Sequence, residues 1–218
     1  MSTWILFDLD GTLTDNSEGI LKSARFALDR MGYPNEPDSV LKRFIGPPLH
    51  KSFMEYYGFP EEKAFEAVEN YRIRYREKGV YESNLFPGMK ELLAKLQAAG
   101  AKLCVATSKP TCFTEIILKQ HGADSFFTHV VGANLDGTMT DKTEVIQEVL
   151  RRMDDPQCEA IMIGDRNYDI IGANNCGLKS VGVYYGFAEP GELEEAGATW
   201  VADTVEELGE ILLKQIKA

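Results

Sequence analysis

Cysteine is scarce in this chain of 218 residues: the four present, Cys104, Cys112, Cys158 and Cys176, stand at unrelated spacings with no Cys-x-x-Cys. They read as reduced, mostly buried thiols, which excludes a disulfide-built mini-protein. Only three histidines occur, all scattered, so no zinc cluster is indicated. Basic charge is also in deficit. The 23 lysines and arginines against 34 acidic residues leave a formal charge of −11, and such a surface repels phosphate backbones and anionic lipid. No apolar stretch approaches the ~20 residues that span a bilayer, and no basic-then-apolar leader precedes the first acidic residues. A cytoplasmic protein is expected, binding neither nucleic acid polymer nor membrane. A small anion can bind only where the chain builds a local positive site from a metal ion, a few lysines or aimed backbone amides.

What is present is a globular composition, 44% hydrophobic and 26% charged, long enough for one large domain or one domain carrying a smaller one. Trp4-Ile5-Leu6-Phe7 is an unbroken apolar run ended by Asp8-Leu9-Asp10-Gly11, which predicts a strand buried on both faces. Similar runs cover 102–106, ending in Thr107-Ser108; 160–163, ending in Gly164-Asp165; and 180–183, ending in tyrosines and Gly186. Trp200 to Ala202 and Phe126 to Val131 are weaker strand candidates. Between these lie helical patterns, including Pro87 to Ala99 and Pro110 to Gln120, and Asp141 and Thr204 have capping-box spacing to Glu144 and Glu207. Strands alternating with helices predict an α/β fold, a three-layer doubly wound parallel sheet.

Residues from about Ser17 to Ser83 break the alternation. They read as helices only, over Glu18 to Met31, Pro48 to Tyr57 and Glu61 to Lys78. The expected organisation is a sheet domain of residues 1–15 and 84–218 with an inserted all-helical domain of residues 16–83, joined by two connections that form a hinge. The inserted tyrosines and phenylalanines are expected mostly to pack a small core, and the run from Tyr71 to Arg76 reads as a solvated helix face.

In a parallel sheet, ligands sit beyond the carboxyl ends of the strands. The first strand delivers Asp8 and Asp10 there, the second Thr107, Ser108 and Lys109, and the third Asp165 with Asp169 one turn later, while Lys142 starts a helix between. Carboxylates so gathered demand a cation, and oxygen-only ligands favour Mg²⁺. A positive charge at the first turn opposes the helix dipole, so something else must favour Lys142, and a carboxylate cluster would. An in-line nucleophile, donors for equatorial oxygens and balancing positive charge are what phosphoryl transfer needs.

Asp8-Leu9-Asp10-Gly11-Thr12-Leu13-Thr14, Thr107-Ser108-Lys109-Pro110, Lys142 and Gly164-Asp165-Arg166-Asn167-Tyr168-Asp169 resemble the four ordered motifs of the haloacid dehalogenase superfamily of phosphohydrolases. The likeness covers nearly the whole chain, and the helical insertion is similar to the cap of the phosphoglycolate phosphatase-like branch. The resemblance implies that Asp8 attacks phosphorus to give an aspartyl-phosphate, and that Asp10 protonates the leaving alcohol and then activates water. It implies Mg²⁺ held by the Asp8 carboxylate, the Asp10 main-chain carbonyl and Asp165, with Asp169 in or beside that shell. Thr107, the Ser108 amide and Lys142 would meet the phosphoryl group. Gly11, Lys109 and Gly46 complete the expected phosphate- and substrate-binding set.

An aspartate opening the first motif argues against the metal-free dehalogenases. In related mutases a cap loop supplies an arginine, whereas the corresponding stretch here is Ile45-Gly46-Pro47-Pro48-Leu49. Phosphonate-cleaving relatives need a cap lysine, and nothing marks Lys42 or Lys51 for that role. His50 is the cap residue to test first, and Arg166 is expected to pair locally with acids. The expected substrate is a small phosphorylated metabolite, phosphoglycolate, a nucleotide or a sugar phosphate, acted on by a monomer or weak dimer. A mutase of the same fold and a phospho-aspartate signalling receiver are the alternatives.

Overall fold

In the computed structural model the described residues are 3–153 and 159–216, so Cys158 lies outside them. The chain divides into a unit of Met1–Asp15 with Leu85–Ala218 and a second unit of Asn16–Asn84. The elements in chain order begin with β1 (Trp4–Phe7) and β2 (Thr14–Asp15). Four helices follow, α1 (Ser17–Arg30), α2 (Asp38–Leu41), α3 (Leu49–Tyr57) and α4 (Glu61–Glu77). After β3 (Asn84–Leu85) come α5 (Met89–Ala98), β4 (Lys102–Pro110), α6 (Thr111–Gln120) and β5 (Phe127–Ala133). The remainder is α7 (Lys142–Arg152), β6 (Ala160–Gly164), α8 (Asn167–Asn175), β7 (Lys179–Val183), α9 (Glu192–Glu195), β8 (Trp200–Ala202) and α10 (Val205–Gln215).

Six strands form one sheet in the order β5-β4-β1-β6-β7-β8, and every neighbouring pair is parallel. All four residues of β1 are buried because helices cover both faces. On one face Trp4, Leu6, Cys104, Ala106 and Met162 pack with Val145, Ile146 and Val149 of α7 and Ala173 of α8. Alternation sends Ile5, Phe7, Leu103 and Val105 to the other face, where Leu93 and Leu96 of α5 and Leu208 and Leu212 of α10 are buried. The strand order reverses at β1, with β4 and β5 on one side and β6 to β8 on the other, which opens a crevice at the carboxyl end of β1.

Several expectations are corrected in detail. β4 does not stop at Ala106 but runs to Pro110, because a register shift lets Pro110 pair with Ala133 after Thr107 pairs with Gly132. Pro110 therefore caps α6 from outside rather than starting it. Asp141 caps α7 by accepting from the Thr143 amide, not the Glu144 one, whereas the Thr204 hydroxyl accepts from the Glu207 amide of α10 as the spacing predicts. Of the described thiols only Cys104 is buried; Cys112 is exposed and Cys176 is half-buried.

The helical unit holds no strand between α1 and α4. Its core gathers Phe44, Phe53, Phe59, Tyr71 and Tyr75, with the Phe44 and Phe53 rings 4.8 Å apart. Arg74 of the Tyr71 to Arg76 run forks onto Glu82 at 2.8 and 2.9 Å, and Arg72 pairs with Glu69 at 2.6 Å. Among the described residues no helix is long and apolar enough to cross a membrane.

Candidate active site

The parallel register sets the site. Phe7 lies level with Val105 and Ile163, so the next residue, Asp8, leaves β1 beside Ala106 and Gly164, with Thr107 one step further along β4 and Asp165 just past the end of β6. Asp169 sits in the first turn of α8, where its carboxylate accepts from the Arg166 amide at 3.1 Å and so closes the helix start. Lys142 is the first residue of α7, and its Nζ reaches Asp8 at 2.9 Å, Asp169 at 2.7 Å and the Ala106 carbonyl at 3.1 Å. One ammonium thus ties the first motif to the last, which explains a positive charge at a helix N-terminus.

Carboxylate oxygens of Asp8, Asp165 and Asp169 all lie within 4.8 Å of one another, and all three residues are buried. Burial drives the Asp165 carboxyl well above the usual carboxylate range, and the Asp169 and Asp8 charges add to this. Burial likewise pushes Asp169 up to about 6, opposed by Lys142. Burial by itself would lower the Lys142 pKa, but Asp169 and Asp8 outweigh it and the net shift is upward. Ionising all three carboxylates in this buried pocket against one ammonium would leave a charge deficit, which is why burial holds protons on Asp165 and Asp169 when no cation is bound. Hard oxygen donors with that deficit fit a hard divalent cation.

Asp10 stands apart from this cluster. The tight turn after it, closed by the Gly11 amide on the Thr14 carbonyl at 2.8 Å, leaves its carboxylate 2.7 Å from Lys109 Nζ. Thr107 is buried and accepts from the Lys109 amide at 3.2 Å, while the Ser108 hydroxyl donates to the Thr140 carbonyl at 3.0 Å. Lys109, placed by sequence among the phosphate binders, is thus engaged with Asp10. Gly46 lies in the helical unit, at φ +100° in the loop before α3. Arg166 pairs with Glu192 at 2.9 Å, the local acid partner expected of it.

Sequence reasoning passed over the segment after β7. The Phe187 amide donates to Asp165 Oδ2 at 2.8 Å, and the Thr12 hydroxyl faces Asp165 Oδ1 at 3.5 Å. A main-chain donor carries no side-chain signature, so only the Tyr-Tyr-Gly ending of that strand hinted at a tight approach.

The model of the haloacid dehalogenase-like hydrolases matches residues 5–183, spanning Asp8 to Asp169. The chain belongs to that family. A 5'-nucleotidase of Pseudomonas aeruginosa is 48% identical to it over 190 residues, covering 87% of this chain and 86% of the relative. Tyrosine-protein kinase PtkA of Mycobacterium tuberculosis is 36% identical, covering 95% of this chain and 72% of the relative. The crystal structure of a predicted phosphatase from Clostridium acetobutylicum superposes with a TM-score of 0.93 at 43% identity, over 98% of this chain and 99% of that one. The fold shared with such solved structures is the parallel sheet with helices on both faces described above.

Proposed function

We propose that the protein is a Mg²⁺-dependent phosphatase that hydrolyses a small phosphate monoester through an aspartyl-phosphate on Asp8. Its class, phosphoric monoester hydrolase, follows from the family and from its phosphatase and nucleotidase relatives. The observation that carries the mechanism is the Lys142 ammonium shared by Asp8 and Asp169, with the Asp165 carboxylate beside them and fewer positive than acidic groups in the cluster. The Asp8 carboxylate, the Asp10 main-chain carbonyl and Asp165 would hold the cation, with Asp169 in or beside its shell. When bound, the ion neutralises the carboxylates and the phosphoryl oxygens, so that two like-charged partners can meet.

An Asp8 oxygen attacks phosphorus, the ester P–O bond breaks, and the departing oxygen takes a proton from Asp10. Water then attacks the aspartyl-phosphate while Asp10 accepts its proton, releasing phosphate and restoring Asp8. The Thr107 hydroxyl and Ser108 amide donate to the equatorial oxygens, and Lys142 holds the nucleophile in place as its charge is spent. The helical unit, with Gly46 and His50 in and beside its loop before α3, is assigned the role of a substrate-selecting cap.

The test is a panel of nucleoside monophosphates, phosphoglycolate and sugar phosphates with Mg²⁺, ranked by kcat/KM. The 48% identical nucleotidase puts nucleoside monophosphates first in that panel. Turnover must vanish in Asp8→Asn and, reversibly, in EDTA. Hydrolysis that survives either treatment would refute the mechanism. The mycobacterial kinase relative favours a second reading, in which the phosphoryl group passes to an acceptor other than water. Phosphorylated acceptor in place of free phosphate would select it.

A further inference from the structure

The segment that follows β7, Tyr184-Tyr185-Gly186-Phe187, crosses the site at closer range than any side chain could. A Cβ on Gly186 would meet the Gly11 carbonyl at 2.2 Å and Asp165 Cβ at 2.5 Å. One on Gly11 would meet Asp165 Oδ2 at 1.9 Å and the Phe187 ring at 2.7 Å. Gly186 therefore lies directly on the Gly11 backbone, while Gly11 leaves room for the Asp165 and Phe187 side chains. From this position the Phe187 amide holds Asp165. The neighbouring Tyr185 hydroxyl donates to the Thr12 carbonyl at 3.0 Å, across 173 residues of sequence. The Tyr185 ring stands edge-on to Phe86, centroids 4.9 Å apart, and the Phe86 amide donates to the Leu13 carbonyl at 3.2 Å. Two successive carbonyls of the turn that follows Asp10 are thus pinned from outside that turn.

We propose that Tyr185-Gly186-Phe187 is a strap that preorganises the cation site, with Tyr185 as a positioning residue acting through its hydroxyl on the Gly11–Leu13 turn. The inference rests on the divalent-cation reading above. Asp165 is fixed by the strap directly, and the Asp10 carbonyl is fixed through the turn that Tyr185 clamps, so both donors are held before the ion arrives. Groups that orient a metal's ligands from outside tune its affinity.

The decisive variant is Tyr185→Phe, which keeps the ring against Phe86 and removes only the hydroxyl. Binding is read without substrate, by the loss of free Mn²⁺ signal in electron paramagnetic resonance and by the Mg²⁺ dependence of thermal unfolding. Tyr185→Phe is expected to weaken both ions roughly five-fold, the size of one neutral hydrogen bond. The control is Tyr184→Phe, whose hydroxyl instead accepts from the Gly191 amide at 3.1 Å and faces Glu194; its affinity should equal that of the wild type. Unchanged ion affinity in Tyr185→Phe, or equal weakening in both variants, overturns the strap while leaving the phosphatase reading intact. A wild-type chain that binds neither ion sinks the cation reading itself, and the strap with it.

Discussion

Replacing Lys142 by methionine keeps most of the side-chain volume and removes the ammonium that Asp8 and Asp169 share at 2.9 and 2.7 Å. All three side chains are at least nine-tenths buried, so water cannot take over the role of the lost partner. Removing one member of a buried ion pair costs about 3–5 kcal/mol, chiefly because the remaining charge is left unpaired. In a chain of this size each kcal/mol moves Tm by about 2–4 °C, so metal-free Lys142→Met should melt roughly 6–20 °C below wild type. Differential scanning calorimetry in EDTA measures this. The double variant Lys142→Met/Asp169→Asn should recover part of the loss, since one orphaned charge is gone. Mg²⁺ should also stabilise Lys142→Met more than wild type, because the cluster is then one positive charge poorer. A drop under about 2 °C, or a double variant worse than the sum of its singles, would refute the claim that this lysine neutralises the carboxylates.

Other outcomes follow from the same cluster. Burial raises Asp165 and takes Asp169 to about 6, so the folded metal-free chain binds protons that the unfolded chain has already lost. Those two groups should make the EDTA-treated protein lose stability as pH rises from the ordinary aspartate range, near 4, through about 6. Mg²⁺ should flatten that slope, and a metal-free Tm that climbs steadily over the same window would contradict it. Lys109→Met frees the Asp10 carboxylate to turn, and kcat should fall roughly ten-fold with KM nearly unchanged; a rise in KM alone would make Lys109 a phosphate binder instead. Arg166→Ala should leave kcat/KM within about two-fold of wild type, since its guanidinium pairs with Glu192 and the substitution keeps the main-chain amide that serves Asp169. A large loss would place the guanidinium on substrate.

Much of the fold was legible where burial and chemistry act through side chains. Trp4 to Phe7 announces a strand covered on both faces, and the acids and Thr107 that end three such runs converge because parallel strands end together. The end of β4 was not legible. Ser108-Lys109-Pro110 looks like a turn in isolation, and only pairing with β5 keeps it extended. The expectation of mostly buried thiols fails at Cys112, which lies beside buried Phe113 but, on a helix, faces elsewhere. Within the site, carboxylates, Thr107 and Lys142 advertise themselves by type and position. The partner of Lys109 and the Phe187 amide do not, because a long side chain can reach several targets and a main-chain donor leaves no trace in residue identity.

The middle position of β1 also has a consequence for synthesis on the ribosome. The strand leading into Asp8 emerges well before its two neighbours, which begin at Lys102 and Ala160. For most of translation that apolar ribbon has no finished sheet to join, and closing such long loops is slow. A nascent chain halted before β6 would expose one whole edge of it, which makes this segment a natural client for a holdase until β6 arrives.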